Sequence, residues 1–289
     1  MASKRMGLLL FLYWCASSFA EVRFVVLSTI HSGTTWYSEM MNNMPGIACG
    51  LEEMSSIGRM SKAERHAMSV KEWGVAAQKA FERVQSRRPG SSLVGFKVMY
   101  YQLPRAEIFQ TWLVVHKIAV IHLIRGASIL IPNNIRNEAR SAGVRMDHHG
   151  RRLFYVNSDA TVARIRAVSA PKVLREADLK WVKRHEIEVE AWRMRLHSNL
   201  RLWVHEIYYE HLLGPWSRAT FELSSSFLHL ANNTGNITSP KSISHRVHNM
   251  TCAMRLANWE DKKALFKGTR TFHFCKSLDD YGEVEDKNY

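Results

Sequence analysis

The sequence has few acidic residues for its length and lacks several patterns that mark common protein classes. Aspartate and glutamate number 26 against 40 lysines and arginines. No Gly-x-x-x-x-Gly-Lys-Ser/Thr pattern occurs, which disfavours a Walker-type nucleotidase. No segment is repeated along the chain, and no hairpin signal joins neighbouring strand-like runs. The adjacent His148 and His149 have no cysteine or carboxylate at ligand spacing, so no metal site is predicted.

The shortage of acidic residues leaves a formal net charge of +14 at pH 7. A surface of this sign attracts anions such as nucleotide phosphates, acidic glycans, nucleic acid or an anionic membrane face. Charge alone does not choose among these partners. Nucleic-acid binding has no other support. It also conflicts with the N-terminal targeting segment and the glycosylation patterns of the sequence, which indicate the secretory pathway, so no nucleic-acid partner is predicted.

The first twenty residues have the form of a targeting segment. Lys4 and Arg5 precede an apolar run over residues 7–16, and residues 18–20 (SFA) resemble a small-residue cleavage site. The apolar run is shorter than the roughly 20 residues that span a bilayer. Residues 1–20 are therefore interpreted as a signal peptide, with a short signal anchor as the alternative and the only predicted membrane contact.

Three N-glycosylation acceptor patterns lie close together near the other end of the chain, beginning at Asn232, Asn236 and Asn249. Such sites are used in the secretory pathway. Together with the N-terminal segment they predict a glycoprotein of that pathway, with the Golgi lumen as its expected location.

The cysteines leave two arrangements open. If Cys15 is removed with the signal, Cys252 and Cys275 can pair in an oxidising lumen, and Cys49 is then an odd thiol. In the alternative arrangement these last three cysteines are reduced and buried, since free cysteine behaves as a small apolar residue.

Alternating strand-like and helix-like segments predict an α/β protein. Apolar and β-branched runs indicate strands at 23–28, 93–99, 119–124 and 200–208. Helical patterns occur at 34–43, 61–84, 178–198 and 217–230. This alternation favours a P-loop-like central parallel β-sheet flanked by helices. We predict a single domain over residues 21–278, followed by an acidic flexible tail over residues 279–289.

A polar turn, Ser32-Gly33-Thr34-Thr35-Trp36, joins the first predicted strand to the first predicted helix. Parallel sheets bind ligands at this position, beyond the carboxyl ends of their strands. Gly33 lets the backbone approach a ligand closely, the three hydroxyls can donate, and the free amides at the helix start favour an anion. The turn therefore predicts a phosphate-binding loop, with a plain Ser/Thr helix cap as the alternative.

Six segments, in order, resemble motifs of the sulfotransferases that use 3′-phosphoadenosine 5′-phosphosulfate (PAPS), in particular the carbohydrate or Golgi-type enzymes. The first segment, residues 29–36 (TIHSGTTW), resembles the family's 5′-phosphosulfate loop. The others are 42–46 with Glu52 (NNMPG and E), 95–100 (GFKVMY), 121–125 (IHLIR), 208–213 with 227–228 (YYEHLL and FL), and 258–260 with 267–269 (NWE and KGT). The resemblance implies the sulfotransferase fold, with PAPS as co-substrate and no metal.

The resemblance also implies roles for the matched residues near the loop. The 5′-phosphosulfate would be held by His31, Ser32, Gly33, Thr34, Thr35 and Trp36. His31 stands where the family usually has arginine or lysine, and a histidine would make activity depend on pH near its own titration. Lys97 lies on an otherwise apolar strand without an evident partner, so the phosphosulfate is its expected partner. His31 and Lys97 are therefore predicted to be catalytic as well as binding residues.

Four more residues complete the predicted site, namely Arg125, Asn133, Asn134 and Glu52. Arg125 corresponds to the arginine that holds the 3′-phosphate, where the family's partner serine is replaced by Asn133 and Asn134, whose amides can also donate. Glu52 corresponds to the glutamate that takes the acceptor's proton in several carbohydrate sulfotransferases, and the neighbouring Glu53 is the alternative.

These motifs together predict transfer of a sulfuryl group from PAPS to a hydroxyl-bearing acceptor. The expected acceptor is a glycan, and the basic charge is compatible with an acidic one. The departures at His31, at Gly126 and at the partner serine are the basis of the alternative, a weak or inactive family member that binds nucleotide or anionic glycan. The arginine-rich stretch 136–175 either lines the acceptor cleft or is a solvated surface.

Overall fold

The computed structural model describes residues 22–29, 32–127, 173, 176–212, 217–229, 252 and 259–281. Five strands occur in these ranges: β1 (Val22–Ser28), β2 (Ile47–Gly50), β3 (Leu93–Met99), β4 (Ala119–Ile124) and β5 (Val204–Tyr208). The α-helices there are α1 (Thr34–Asn42), α2 (Ser55–Arg59), α3 (Lys62–Ala67), α4 (Val70–Arg87), α5 (Ala106–Val115), α6 (Glu176–His197), α7 (Ser217–His229), α8 (Trp259–Lys262) and α9 (Arg270–Tyr281). Short 3-10 helices cover Tyr100–Gln102, Tyr209–Leu212 and Lys263–Phe266. None of the helices in the described ranges is long and apolar enough to cross a membrane.

The strands form one parallel sheet in the order β2-β3-β1-β4-β5. Val26 of β1 lies opposite Lys97 of β3 on one side and Ile121 of β4 on the other. Because all strands run the same way, their carboxyl ends meet at one edge of the sheet. The predicted fold class, a central parallel sheet flanked by helices, is confirmed.

Helices cover both faces of the sheet. Side chains alternate between the faces along each strand, so every strand packs against helices on both sides. On one face Val25 and Phe96 pack with Trp73 of α4 and Trp192 of α6. On the other face Phe24 and Val26 pack with side chains of α1 and α7, among them Tyr37, Met41 and Phe221. Burial on both faces explains why β1, β3 and β4 are mostly apolar, which made them recognisable in the sequence.

The segment predicted as one helix over residues 61–84 is two helices, α3 and α4. Ser61 and Ser69 each begin a helix, because each hydroxyl accepts a hydrogen bond from the amide of the glutamate three residues later. Glu64 and Glu72 in turn accept from the serine amides. These reciprocal bonds form capping boxes, which satisfy amides that a helix start leaves unpaired.

Other boundaries differ from the prediction for local reasons. The strand predicted from residue 200 begins at Val204, because a turn links α6 to β5 and leaves Leu200 96% exposed. Strand β2 was not predicted, since its four residues are too few for a clear pattern. Helix α5 was not predicted either. Helix α9 extends to Tyr281, three residues into the predicted flexible tail, because it continues from buried residues at Phe274 and Cys275.

A third apolar cluster ties the C-terminal segment to the sheet. Cys252 and Cys275 form a disulfide, and both are buried beside Trp259 and Phe274. Cys49 is a buried free thiol. Of the two arrangements that the sequence left open, the structure has the paired one. The glycosylation patterns and residues 1–21 lie outside the described residues.

Candidate functional site

The loop between β1 and α1 requires glycine at position 33. Gly33 has φ of 84°, a left-handed conformation that other residues adopt only with strain. A Cβ atom at this position would also overlap the ring of Tyr209. Both constraints keep the loop backbone close to the ring, so Gly33 is needed for the conformation as well as for approach to a ligand.

Hydroxyl groups fix the start of the loop. The Ser32 hydroxyl donates to the carbonyl oxygen of Thr29 at 2.7 Å, and Ser32 is fully buried. The Ser28 hydroxyl contacts that of Ser32 and donates to the carbonyl of Leu123 on β4 at 2.6 Å. In this structure the Ser32 hydroxyl holds the loop, whereas the sequence predicted that it would contact a ligand.

The amino end of α1 supplies backbone amides at the carboxyl edge of the sheet. The first amides of a helix have no acceptor within the helix, and the helix dipole makes this end favourable for an anion. No acidic residue occurs in the first turn of α1. Thr35 and Trp36 are partly exposed there, while the Thr34 side chain is buried. The amides and the Thr35 hydroxyl are therefore the groups of this loop that remain for a ligand.

Lys97 has two partners next to the loop. Its ammonium group donates to the Thr35 hydroxyl at 2.8 Å and lies 2.6 Å from Oε1 of Glu52. Only 4% of the Lys97 side chain is exposed, against 53% of Glu52. No protein partner for Lys97 was evident from the sequence, and the structure supplies one, because the turn after β2 brings a carboxylate to it. Lys97, Thr35 and Glu52 therefore form one cluster, as the sequence-based roles require. The predicted contact with the phosphosulfate stays a prediction.

Glu53 has a different environment from Glu52. Its carboxylate is 4% exposed and accepts hydrogen bonds from Arg83 Nε at 3.0 Å and from Arg87. Arg83 also donates to the Glu53 carbonyl at 2.7 Å. Glu53 thus joins the turn to α4, and Glu52 is the carboxylate that faces the loop. The geometry favours Glu52 over the alternative.

Arg125 lies on the other side of the loop, just after β4. Its guanidinium group is 4.2 Å from the centre of the Tyr209 ring, and Nε is 3.3 Å from Oε1 of Glu210. The Glu210 carboxylate accepts from the amides of Gly126 and Ala127 at 2.8 and 2.9 Å. Glu210 therefore orients backbone, and it also holds Arg125 against Tyr209.

A buried polar network lies beneath this edge of the sheet. His122 is fully buried, with Nε2 bonded to the Tyr100 hydroxyl and Nδ1 3.8 Å from Oε2 of Glu206. Burial lowers the pKa of His122, which keeps the ring neutral. Burial alone would raise the pKa of Glu206, but His122 and Arg193, whose Nε is 2.6 Å away, lower it to about 2. The network is a charged carboxylate beside a neutral histidine.

An aromatic cavity of about 310 Å³ opens at the same edge and includes Thr29, Tyr101, Trp181 and His185 in its lining. Burial, and then the nearby Glu52 carboxylate, raise the pKa of Tyr101. The rings of Trp181 and His185 stack at 4.8 Å, and burial lowers the pKa of His185 to about 4. The cavity therefore combines aromatic walls with a neutral histidine, and its Tyr101 is the lining residue influenced by Glu52.

Several predicted site residues lie outside the described residues. These are His31, Asn133 and Asn134, together with His148, His149 and the stretch 136–172. Their predicted roles stay predictions. Among the residues that are described, no group of three or more histidine, cysteine, aspartate or glutamate side chains could hold a metal ion.

Sequence reasoning missed Tyr209, which links the two halves of the site. Its ring packs on Gly33, lies edge-on to Trp36 at 6.1 Å and faces Arg125. An aromatic residue directly after a buried strand was the available signal, since such positions face the ligand edge of a parallel sheet.

Comparisons with known proteins include a distant structural likeness. No family model and no curated protein matches the chain. The solved structure of mouse sulfotransferase SULT7A1 complexed with PAP is similar over 92% of this chain and 93% of that one, with 15% identity and a TM-score of 0.37. A likeness at this level carries no argument about what this chain binds.

Proposed function

We propose that this protein is a sulfotransferase that moves a sulfuryl group from PAPS to a hydroxyl group of a carbohydrate acceptor. One observation carries the proposal. Beside the loop that joins β1 to α1, the Lys97 ammonium lies 2.8 Å from the Thr35 hydroxyl and 2.6 Å from Oε1 of Glu52. A cation, an anion-binding helix start and an exposed carboxylate are the groups that sulfuryl transfer needs in one place.

The described residues fit the two charged ends of the donor. The amides at the start of α1, the Thr35 hydroxyl and Lys97 suit the 5′-phosphosulfate. Arg125 is on the β4 side of the loop, so it suits the 3′-phosphate at the other end of the nucleotide. The donor supplies the activated sulfuryl group, and the protein supplies position and charge.

The roles of the side chains follow from their environments. Glu52 accepts the proton of the acceptor hydroxyl as the acceptor oxygen bonds to sulfur and the bond between sulfur and the phosphate oxygen breaks. Lys97 and the loop amides stabilise the negative charge that grows on that phosphate oxygen. An incoming phosphosulfate competes with Glu52 for Lys97, which frees the carboxylate to act as the base.

Two measurements test the proposal. Titration calorimetry with the desulfated nucleotide PAP measures donor-site binding, and incubation with sulfur-labelled PAPS and a panel of glycans measures transfer. We expect PAP binding and label in at least one glycan. Absence of PAP binding would overturn the proposal. PAP binding without label in any acceptor would instead favour the alternative of an inactive binding protein.

We also propose that the protein works in the lumen of the secretory pathway, with the Golgi as its site. The N-terminal segment and the three glycosylation patterns support this location. The Cys252–Cys275 disulfide agrees with it, because disulfides persist in oxidising compartments. Removal of N-linked glycans should shift the mass of the secreted protein. Recovery in the soluble or the membrane fraction distinguishes a cleaved signal from an anchor.

A further inference from the structure

A large cavity opens beside Glu52, at the edge of the sheet formed by β2. Its volume is about 790 Å³, within the range of small-molecule sites. Residues of the turn after β2 form one wall, and the carboxyl end of α4 forms the other. Its polar lining includes Glu52, Ser55, Ser56, Arg83, Arg87 and Arg88.

The α4 wall of this cavity carries excess positive charge. Arg83 and Arg87 share a single carboxylate, that of the buried Glu53. Arg88 donates to the backbone carbonyls of Asn42 and Ile47, and carbonyl groups do not offset its charge. The Arg87 side chain is 61% exposed, so its remaining donors are open to a ligand.

The strand order separates this cavity from the predicted nucleotide site. In the order β2-β3-β1-β4-β5, the loop after β1 is central and Arg125 follows β4 on one side. Lys97 on β3 and Glu52 after β2 lie on the other side. Neighbouring strands are about 4.8 Å apart, so the end of β2 is about 10 Å from that of β1. A ligand in the cavity can therefore reach Glu52 while the donor occupies the loop and Arg125.

We infer that the cavity binds an acidic glycan, whose carboxylate or sulfate group contacts Arg87 and Arg88 while its hydroxyl faces Glu52. This inference rests on the proposed function and names the acceptor class. Guanidinium groups bind carboxylate and sulfate oxygens in pairs, which gives orientation as well as affinity. The arginines therefore orient the bound glycan, and this orientation places one of its hydroxyl groups next to Glu52.

The test compares one oligosaccharide in two chemical forms. A glucuronic-acid-containing tetrasaccharide and its carboxyl-reduced, neutral form are titrated into the protein, with and without saturating PAP. We expect the acidic form to bind at least about tenfold more tightly, as a charge-assisted hydrogen bond predicts. Arg87→Gln should remove most of this preference. The neutral form and PAP should bind Arg87→Gln and the unchanged protein equally.

Control variants separate a specific site from general charge. Arg201→Gln removes the same charge at the opposite edge of the sheet, where α6 leads into β5, and should keep the preference. Arg87→Gln leaves Arg83 paired with Glu53, and an unchanged melting temperature checks that it folds. Arg88→Lys keeps the charge but loses the paired donors, and should weaken acidic binding less than Arg87→Gln.

The outcomes distinguish this inference from the proposed function. Equal binding of the two oligosaccharide forms would overturn the inference even where PAP binds normally. A loss of preference in Arg184→Gln but not in Arg87→Gln would also overturn it, because the acidic group would then lie in the aromatic cavity beside Trp181. Preference for the acidic form without any PAP binding would support the cavity and overturn the sulfotransferase proposal.

Discussion

At the scale of single residues, the pair formed by Lys97 and Glu52 connects structure to mechanism. The lysine is buried and the glutamate is half exposed, so solvent screens the attraction between them. An anionic ligand that replaces Glu52 keeps the buried ammonium paired, so the exchange leaves no uncompensated charge. Burial of Lys97 also means that removal of its partners would leave a costly unpaired ammonium.

We predict that Glu52→Gln lowers turnover by about 100-fold or more, the usual contribution of a positioned general base. The change keeps the size of the side chain, so PAP affinity should stay within about twofold of the original. Sulfur-label transfer and PAP calorimetry measure the two effects. Glu107→Gln, at an exposed position on α5, is the matched control and should leave both unchanged. Full turnover in Glu52→Gln would exclude this carboxylate as the base.

Arg125→Ala should weaken PAP binding at least tenfold, since hydrogen bonds to charged groups contribute about 1.5–3 kcal/mol. The buried Glu210 would lose a partner but keep the amides of Gly126 and Ala127. Arg125→Lys should recover only part of the affinity, because lysine lacks the paired donors. Calorimetry on the three proteins is the measurement, and equal PAP affinities would contradict the role of Arg125.

At the scale of elements, β1, the loop and α1 act as one unit with Tyr209. The loop is held below by Ser28 and Ser32 and above by the tyrosine ring. The same ring faces Arg125, so the two predicted ends of the donor site share one side chain. A change in the loop backbone should therefore disturb both ends.

Gly33→Ala tests this unit. The added Cβ is strained at φ of 84° and overlaps Tyr209, so we expect a lower melting temperature and loss of PAP binding. A second change, Tyr209→Ala, would relieve the overlap but not the backbone strain, so the double variant should recover only part of the stability. Gly90→Ala has a similar φ of 85° with open space around it, and reports the backbone effect alone. Equal losses in Gly33→Ala and Gly90→Ala would exclude a special contact with Tyr209.

At the scale of the whole molecule, helices α6 and α9 are joined by partly buried polar contacts. Glu186 of α6 accepts from the Thr271 amide of α9 at 2.9 Å. His185 is buried beside Trp181, and burial, followed by the charge of Arg270 on α9, lowers its pKa from 6.5 to about 4. Packing of these helices therefore depends on a histidine that stays neutral.

Acidification should destabilise the protein between pH 6.5 and about pH 4. In this range the unfolded chain binds a proton at His185 and the folded protein does not, so stability falls as pH falls. His122, whose pKa burial also lowers, adds to the same trend. His185→Phe keeps the stacking on Trp181 and should flatten the dependence, whereas the exposed His116→Gln should not. Melting temperatures across this range measure it, and an equal slope in His185→Phe would contradict the assignment.

The sequence by itself determined the elements that have a strong local pattern. Strands β1, β3 and β4 are mostly apolar on both faces, and the polar turn with Gly33 stands out between β1 and α1. These signals lie within a few neighbouring residues, where periodicity and turn chemistry operate. The same signals could not reveal β2, because it has only four residues. They also predicted one helix over residues 61–84, although two Ser-x-x-Glu capping patterns in that segment mark two helix starts.

Only the tertiary structure decided which residues meet. Lys97 contacts Thr35 across 62 residues, and Glu210 contacts Gly126 across 84. The tertiary structure also pairs Glu53 with Arg83, places Glu52 beside Lys97 at the loop, and joins Cys252 to Cys275. The physical reason is that such contacts depend on strand order and register. A motif specifies the chemistry of a side chain, and the sheet brings that side chain to its partners.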